Sequence, residues 1–437
     1  MANPSFNRTF LLVLYGFVVV FALKWIFPQD MLLGIILFFG LLIPFFFLLR
    51  WPHTPGPLLI GLLALLTGKL AYAVTTDPLA GPDEINYFEQ VSSFERLSDF
   101  MPYALQHISG EWANMSAYPI FGLLYMPFFK WIEVQEPLPI IAFNALLFVL
   151  IVNQTYRLNE SYLTYPTPGE NRSGFHSMVI LGLLLSPSFM LMTSIFAKDV
   201  TCVLLGVYAA GLLLRRKYIW FVIVMVYATG LRDYAIVYTL GFYFFYAQRF
   251  RSAVAVMLGA MAILAVQVGP TGLINSVLLT IFLFVSPNPV NPGNWDSEVF
   301  LRTLEAVWML VILGLSAIVF MKYKETRKFY ILAFILLYTY ACTLVLVGYV
   351  TVTGRELEYG VGTIGDNMVR KKLPVLPLLY IMQGYTLVWF ARLCRTPVRR
   401  SAAAPMELTL STSIGGEGED DLSNKRILKG GGIHAGS

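Results

Sequence analysis

The stretch Lys328-FYILAFILLYTYACTLVLVGY-Val350 decides the fold, because after its first lysine it carries no charge and no proline. A run of about 20 apolar residues wound as an α-helix matches a hydrocarbon layer roughly 30 Å thick. Lipid offers no partner to an unpaired backbone amide, so such a segment must satisfy its own N–H and C=O groups, as a helix does. A membrane-spanning strand would alternate its two faces over about ten positions. This stretch is apolar in both registers, which excludes a barrel.

Working outward, runs of the same kind recur from Phe10 to Trp389. They account for a composition of 57% hydrophobic and 13% charged residues in 437, with mean hydropathy +0.67, far more apolar than a water-soluble domain. The spacing predicts about twelve spans, at roughly 9 to 28, 31 to 49, 57 to 75, 137 to 156, 176 to 195, 200 to 214, 218 to 231, 233 to 248, 253 to 269, 299 to 321, 328 to 350 and 373 to 393. The expected fold is therefore all-α and polytopic. Residues 1–396 form the transmembrane domain, and residues 397–437 form a polar, glycine-rich cytoplasmic tail that is expected to be disordered.

Orientation follows from where the cations collect. With both termini cytoplasmic, Arg8, Arg50, Arg215, Lys217, Arg249, Lys322 and Arg327 all fall on the inner side. Three outer loops are then long: 76–136, 270–298 and 353–372. Tyr118 to Trp131 in the first, and Leu273 to Val285 in the second, read as interfacial helices. The first hydrophobic run has no small-residue cleavage site and reads as a retained span.

Several function classes drop out. The formal charge of +5 resides at the ends of apolar runs, where it orients spans, so no nucleic-acid partner is expected. Cys202, Cys342 and Cys394 form no CxxC, and His53, His107, His176 and His434 form no HxxxH, so neither disulfide nor zinc chemistry is expected. A P-loop, a GxGxxG after a strand and a GxSxG are all missing.

Four short clusters interrupt the apolar pattern. Gly81-PDEINYFE-Gln90 follows the third expected span and sets Asp83 and Glu84 behind a Gly-Pro turn, with Tyr87 one helical turn on. A carboxylate held there, partly out of water, suits a general base or a divalent cation; a solvated helix N-terminus suits the same residues. Ser186-PSFMLMTSIFAK-Asp199 places Lys198 and Asp199 inside nearly forty apolar residues, where ionisable groups either serve a function or simply pair with each other in a hairpin. Gly230-LRD-Tyr234 brings Arg232 and Asp233 to the next hairpin, as site residues or as a snorkelling arginine with its neighbour. Asp366-NMVRK-Lys372 puts Arg370, Lys371 and Lys372 together on the outer side, where they suit a phosphate or anionic headgroups.

In this order P-D-E-x-x-Y, S-P-x6-S-x3-K-D, L-R-D-Y and R-K-K-x-P-x-x-P resemble the GT-C superfamily, multi-spanning glycosyltransferases that use polyprenyl-phosphate-linked sugars. The resemblance runs from about Asp83 to Pro377 and implies an inverting transfer to a lipid-linked or glycan acceptor at the outer face of a bacterial inner membrane. It implies Asp83 as the base for the acceptor hydroxyl, with Glu84 assisting. It implies Lys198, Arg232, Arg370 and Lys371 around the donor phosphate, with Tyr87, Asp199 and Asp233 in support. No cofactor is implied beyond a divalent ion at Asp83 and Glu84. Bacterial polymerases of O-antigen or exopolysaccharide repeats share the outward arginines and a similar K-D hairpin and are the nearest rival; a lipid or glycan transporter is more distant.

Overall fold

The computed structural model describes residues 77, 79, 81–94, 97–110, 138–167, 172–354, 356–363 and 368–395. The first three expected spans, the Tyr118 to Trp131 segment, Asp366 and the 397–437 tail lie outside these residues. Within them every regular element is helical and no strand occurs.

The helices run α1 Pro82–Ser92, α2 Leu97–Gly110, α3 Leu138–Tyr162, α4 Arg172–Leu184, α5 Pro187–Met192, α6 Asp199–Leu214, α7 Tyr218–Leu231, α8 Ala235–Tyr246, α9 Phe250–Gln267, α10 Pro270–Val285, α11 Phe300–Lys322, α12 Arg327–Thr353, α13 Met368–Lys372 and α14 Leu376–Arg395. Among the described residues four helical stretches are long and apolar enough to cross a membrane: Phe250–Gln267, Phe300–Lys322, Lys324–Thr353 and Met368–Cys394. On α7 and α9 large apolar side chains such as Ile219, Trp220, Leu258 and Val266 lie exposed, a surface that lipid solvates and water does not. Length, composition and this outer face together mark a membrane protein.

The helices differ in their place within the bundle. Only 11% of the α9 stretch is buried against 89% of the stretch containing α13 and α14, so α9 lies at the rim and α14 at the centre. Close approach to α14 is made possible by glycine. A Cβ on Gly182 of α4 would meet the Tyr380 ring at 2.4 Å, and one on Gly384 of α14 would meet Val179 at 2.7 Å. Polar pairs join α11 to α14 along one face. Trp308 donates Nε1–H to Gln383 Oε1 at 3.1 Å, and the Ser316 and Thr386 hydroxyls lie 2.8 Å apart. Such bonds hold helices together where lipid supplies no hydrophobic drive.

One expectation is corrected in detail. The expected span at 176–195 is broken, because Pro187 has no N–H to donate into the preceding turn and instead opens α5 at its first position. Ser186 caps that new helix, accepting from Phe189 N at 3.3 Å. The helix expected at 273–285 forms from Pro270 to Val285 and packs on α12 and against α9 and α11. Its Asn275 holds the 354–363 loop, bonding Tyr359 Oη, Gly360 O and Gly362 N.

Candidate functional site

The interruption at Ser186–Lys198 brings the site together. It stops the apolar run, starts α6 at Asp199 and leaves Lys198 at that helix's N-cap position. At the end of α7, Arg232 steps out of the helix with extended backbone and forms an ion pair with Asp199, so the start of α6 meets the end of α7. The opposite ends of these helices carry Arg215, Arg216 and Lys217 in one tight turn. Arg232 also lies 5.9 Å from the ring centre of Tyr234.

Helix α1 docks on this corner through one face. Gly81 and Pro82 start it, and Asp83 and Glu84 sit in its first turn, where the helix dipole favours acids. Glu84 and Tyr87, three residues apart, point inward and are buried, while the Asp83 side chain remains 54% exposed. Phe88 packs edge-on against Phe196 at 5.9 Å, and Lys198 Nζ lies 5.5 Å from the centre of the Tyr87 ring.

Arg370 closes the arrangement. It comes from 287 residues away in sequence, donates from Nη1 to Asp83 Oδ2 at 2.8 Å and pairs through Nη2 with Glu84 Oε1. One guanidinium thus spans both carboxylates with its two arms. The neighbouring Lys371 is half-buried, and its carbonyl accepts from Tyr340 Oη at 2.6 Å. Tyr340 is ringed edge-on by Tyr234 at 6.0 Å and Tyr238 at 6.2 Å, so an aromatic trio links the Asp199–Arg232 pair to the basic turn. Gly206 lets α6 approach that trio, since a Cβ there would stand 2.2 Å from the Tyr238 ring.

Lys198 differs from the other cations. Among the described residues no carboxylate lies within ion-pair distance of its Nζ, although it is 9% exposed. Burial, followed by the charge of Arg232, lowers its ammonium to about 8, with Cys202, Asp199 and Asp233 pulling the other way. Asp233 itself is exposed. A buried cation without an anion is a place where an anionic ligand gains most.

The structure therefore brings Asp83, Glu84, Tyr87, Lys198, Asp199, Arg232, Arg370 and Lys371 to one corner. Among the described residues no group of three or more His, Cys, Asp or Glu side chains is placed to hold a metal ion.

Sequence reasoning missed a second ionic group beside the first. Lys372 is fully buried and donates Nζ–H to Ser286 O at 2.6 Å and to Glu305 Oε2 at 3.2 Å. Glu305 Oε1 accepts from Ser186 Oγ and Tyr380 Oη, each at 2.6 Å, and Oε2 also accepts from Ser188 Oγ. A signal was present: an acid six residues into the apolar helix Phe300–Lys322 is costly unless paired. The chain matches no protein-family model, no curated protein and no solved structure.

Proposed function

We propose that this protein is a membrane glycosyltransferase that moves a sugar from a polyprenyl-phosphate donor to a lipid-linked or glycan acceptor, with inversion at the anomeric carbon. In this reading about twelve spans cross a bacterial inner membrane with both termini cytoplasmic, and the corner built around Arg370 faces outward. The observation that carries it is the two-armed contact of Arg370 with Asp83 and Glu84, beside Lys198, which pairs with no carboxylate among the described residues.

The chemistry divides between the exposed and the buried groups. Asp83, reachable from outside, takes the proton of the acceptor hydroxyl as that oxygen attacks the anomeric carbon. The bond from that carbon to the phosphate oxygen breaks, and the electron pair leaves with polyprenyl phosphate. Lys198 and Arg370 stabilise the growing phosphate charge, with Lys371 and Arg232 adding to the positive field. Glu84 stays on Arg370 and aims it. Holding two lipid-anchored substrates at one membrane surface supplies proximity.

The test incubates purified protein with a panel of polyprenyl-phosphate sugars and acceptors and follows release of polyprenyl phosphate. Asp83→Asn is expected to lower turnover by about 10²-fold or more while donor still binds. If no donor is consumed, yet deletion shortens the cell's surface polymer, the polymerase reading takes its place. Movement of labelled lipid across a vesicle wall without a new glycosidic bond would instead identify a transporter.

A further inference from the structure

The Glu305 carboxylate is saturated. Its two oxygens receive Ser186, Ser188, Tyr380 and Lys372, and its side chain is 2% exposed, so it has no lone pair to offer a ligand. Its partners come from four different places: the start of α5, helix α13, helix α14 and, through Lys372, the carbonyl of Ser286 that follows α10. A group so placed acts by holding something, and the geometry of α13 says what it holds.

Helix α13, Met368–Lys372, is the N-terminal end of the continuous helical stretch Met368–Cys394, and the first turn of a helix is held by few hydrogen bonds of its own. Successive residues of a helix are about 100° apart, so Arg370 and Lys372 project to nearly opposite sides. Lys372 points inward to Glu305 and Ser286, and Arg370 points to the carboxylates of α1. Between them the Lys371 carbonyl is tied to Tyr340. The three consecutive cations thus have three separate tethers, and the innermost is the only one sealed from solvent on both sides.

We infer that Glu305 is a positioning residue for Arg370: by anchoring Lys372 it fixes the orientation of the basic turn and so aims the guanidinium at Asp83 and Glu84. Without that carboxylate a buried ammonium has lost its counter-charge, and the turn moves to hydrate it. The loss is felt two residues away, at a group Glu305 never touches. This deepens the transferase reading and rests on it for the effect on turnover, but not for the placement of the turn.

The experiment uses the full chain in lipid nanodiscs. Cys394, the exposed native thiol, is replaced by Ser, and Val369, half-buried on α13, by Cys as a reporter for a water-soluble maleimide. Buried Cys202 and Cys342 report general loosening. Glu305→Gln is expected to speed labelling at position 369 by about tenfold or more while Cys202 and Cys342 stay protected. Adding Lys372→Met removes the stranded charge and restores thermal stability, but leaves labelling at 369 fast, because the tether is still missing.

An unchanged rate at 369 in Glu305→Gln overturns the inference, and so does equal exposure of Cys202 and Cys342. Return to the parent rate in the double variant also overturns it, since Glu305 would then only neutralise Lys372. With a donor in hand, Glu305→Gln is expected to raise its KM more than it lowers kcat. Should the labelling result hold while the parent turns over no donor, the transferase reading falls and the positioning role of Glu305 stands.

Discussion

Two paired cations stand two residues apart on the same turn, and they differ in their access to water. Arg370 meets a carboxylate that is 54% exposed and another that is 2% exposed, whereas Lys372 and Glu305 are sealed at 1% and 2%. An exposed pair is worth little to stability, about 0–1 kcal/mol, and gives way readily to a ligand of the same charge. A sealed pair that loses one partner leaves the other charged in a medium that cannot solvate it, at a cost of about 3–5 kcal/mol. The Arg370–Asp83 pair is therefore suited to exchange, and the Lys372–Glu305 pair to hold its geometry while exchange occurs.

The sharpest way to break this contrast is Glu305→Ala, which strands Lys372 and three hydroxyls. Thermal unfolding in nanodiscs is expected to register a loss of about 3–5 kcal/mol. Glu84→Gln comes next: it keeps the shape but removes the buried charge on Arg370, and should cost about 1–3 kcal/mol in the same assay. Asp83→Asn should change stability by less than about 1 kcal/mol, since its pair faces water. If Asp83→Asn proves as damaging to stability as Glu84→Gln, the division between exchanging and fixed carboxylates fails.

The smallest expected effect is a pH dependence at Lys198. Its folded-state ammonium lies near 8 against an ordinary 10.5, so between these values the unfolded chain binds more protons than the folded one. Stability contributed at this site accordingly rises as pH climbs from about 8 toward 10.5, and Lys198→Met should abolish that rise. Binding of a polyprenyl phosphate should move the opposite way, weakening as the ammonium is lost above about 8. Titration of lipid-phosphate binding from pH 7 to about 10, in parallel with unfolding midpoints, checks both signs.

Much of the local architecture was legible from residue type. Val350 back to Lys328, Lys322 back to Phe300 and the α6 to α8 hairpins needed only apolar length, and their helices end within a few residues of the expected bounds. The break at Ser186 and Pro187 was missed, because the apolar run around them reads as one span. The charged clusters at 83–84, 198–199, 232–233 and 370–371 stood out because ionisable groups beside apolar runs are conspicuous. Glu305 did not stand out, since one acid in an apolar helix shows its expense but not its partner.

Residue type alone makes this chain a set of lipid-solvated helices and marks the few charges that interrupt them, because hydrocarbon solvation is a matter of composition over about 20 residues. The pairings came from packing: Arg370 with residues 83 and 84, Arg232 with Asp199, Lys372 with Glu305, and Lys198 with none of the described carboxylates. Those choices depend on which helices touch and on the burial of each charge, and both are set by contacts between residues as much as 287 positions apart.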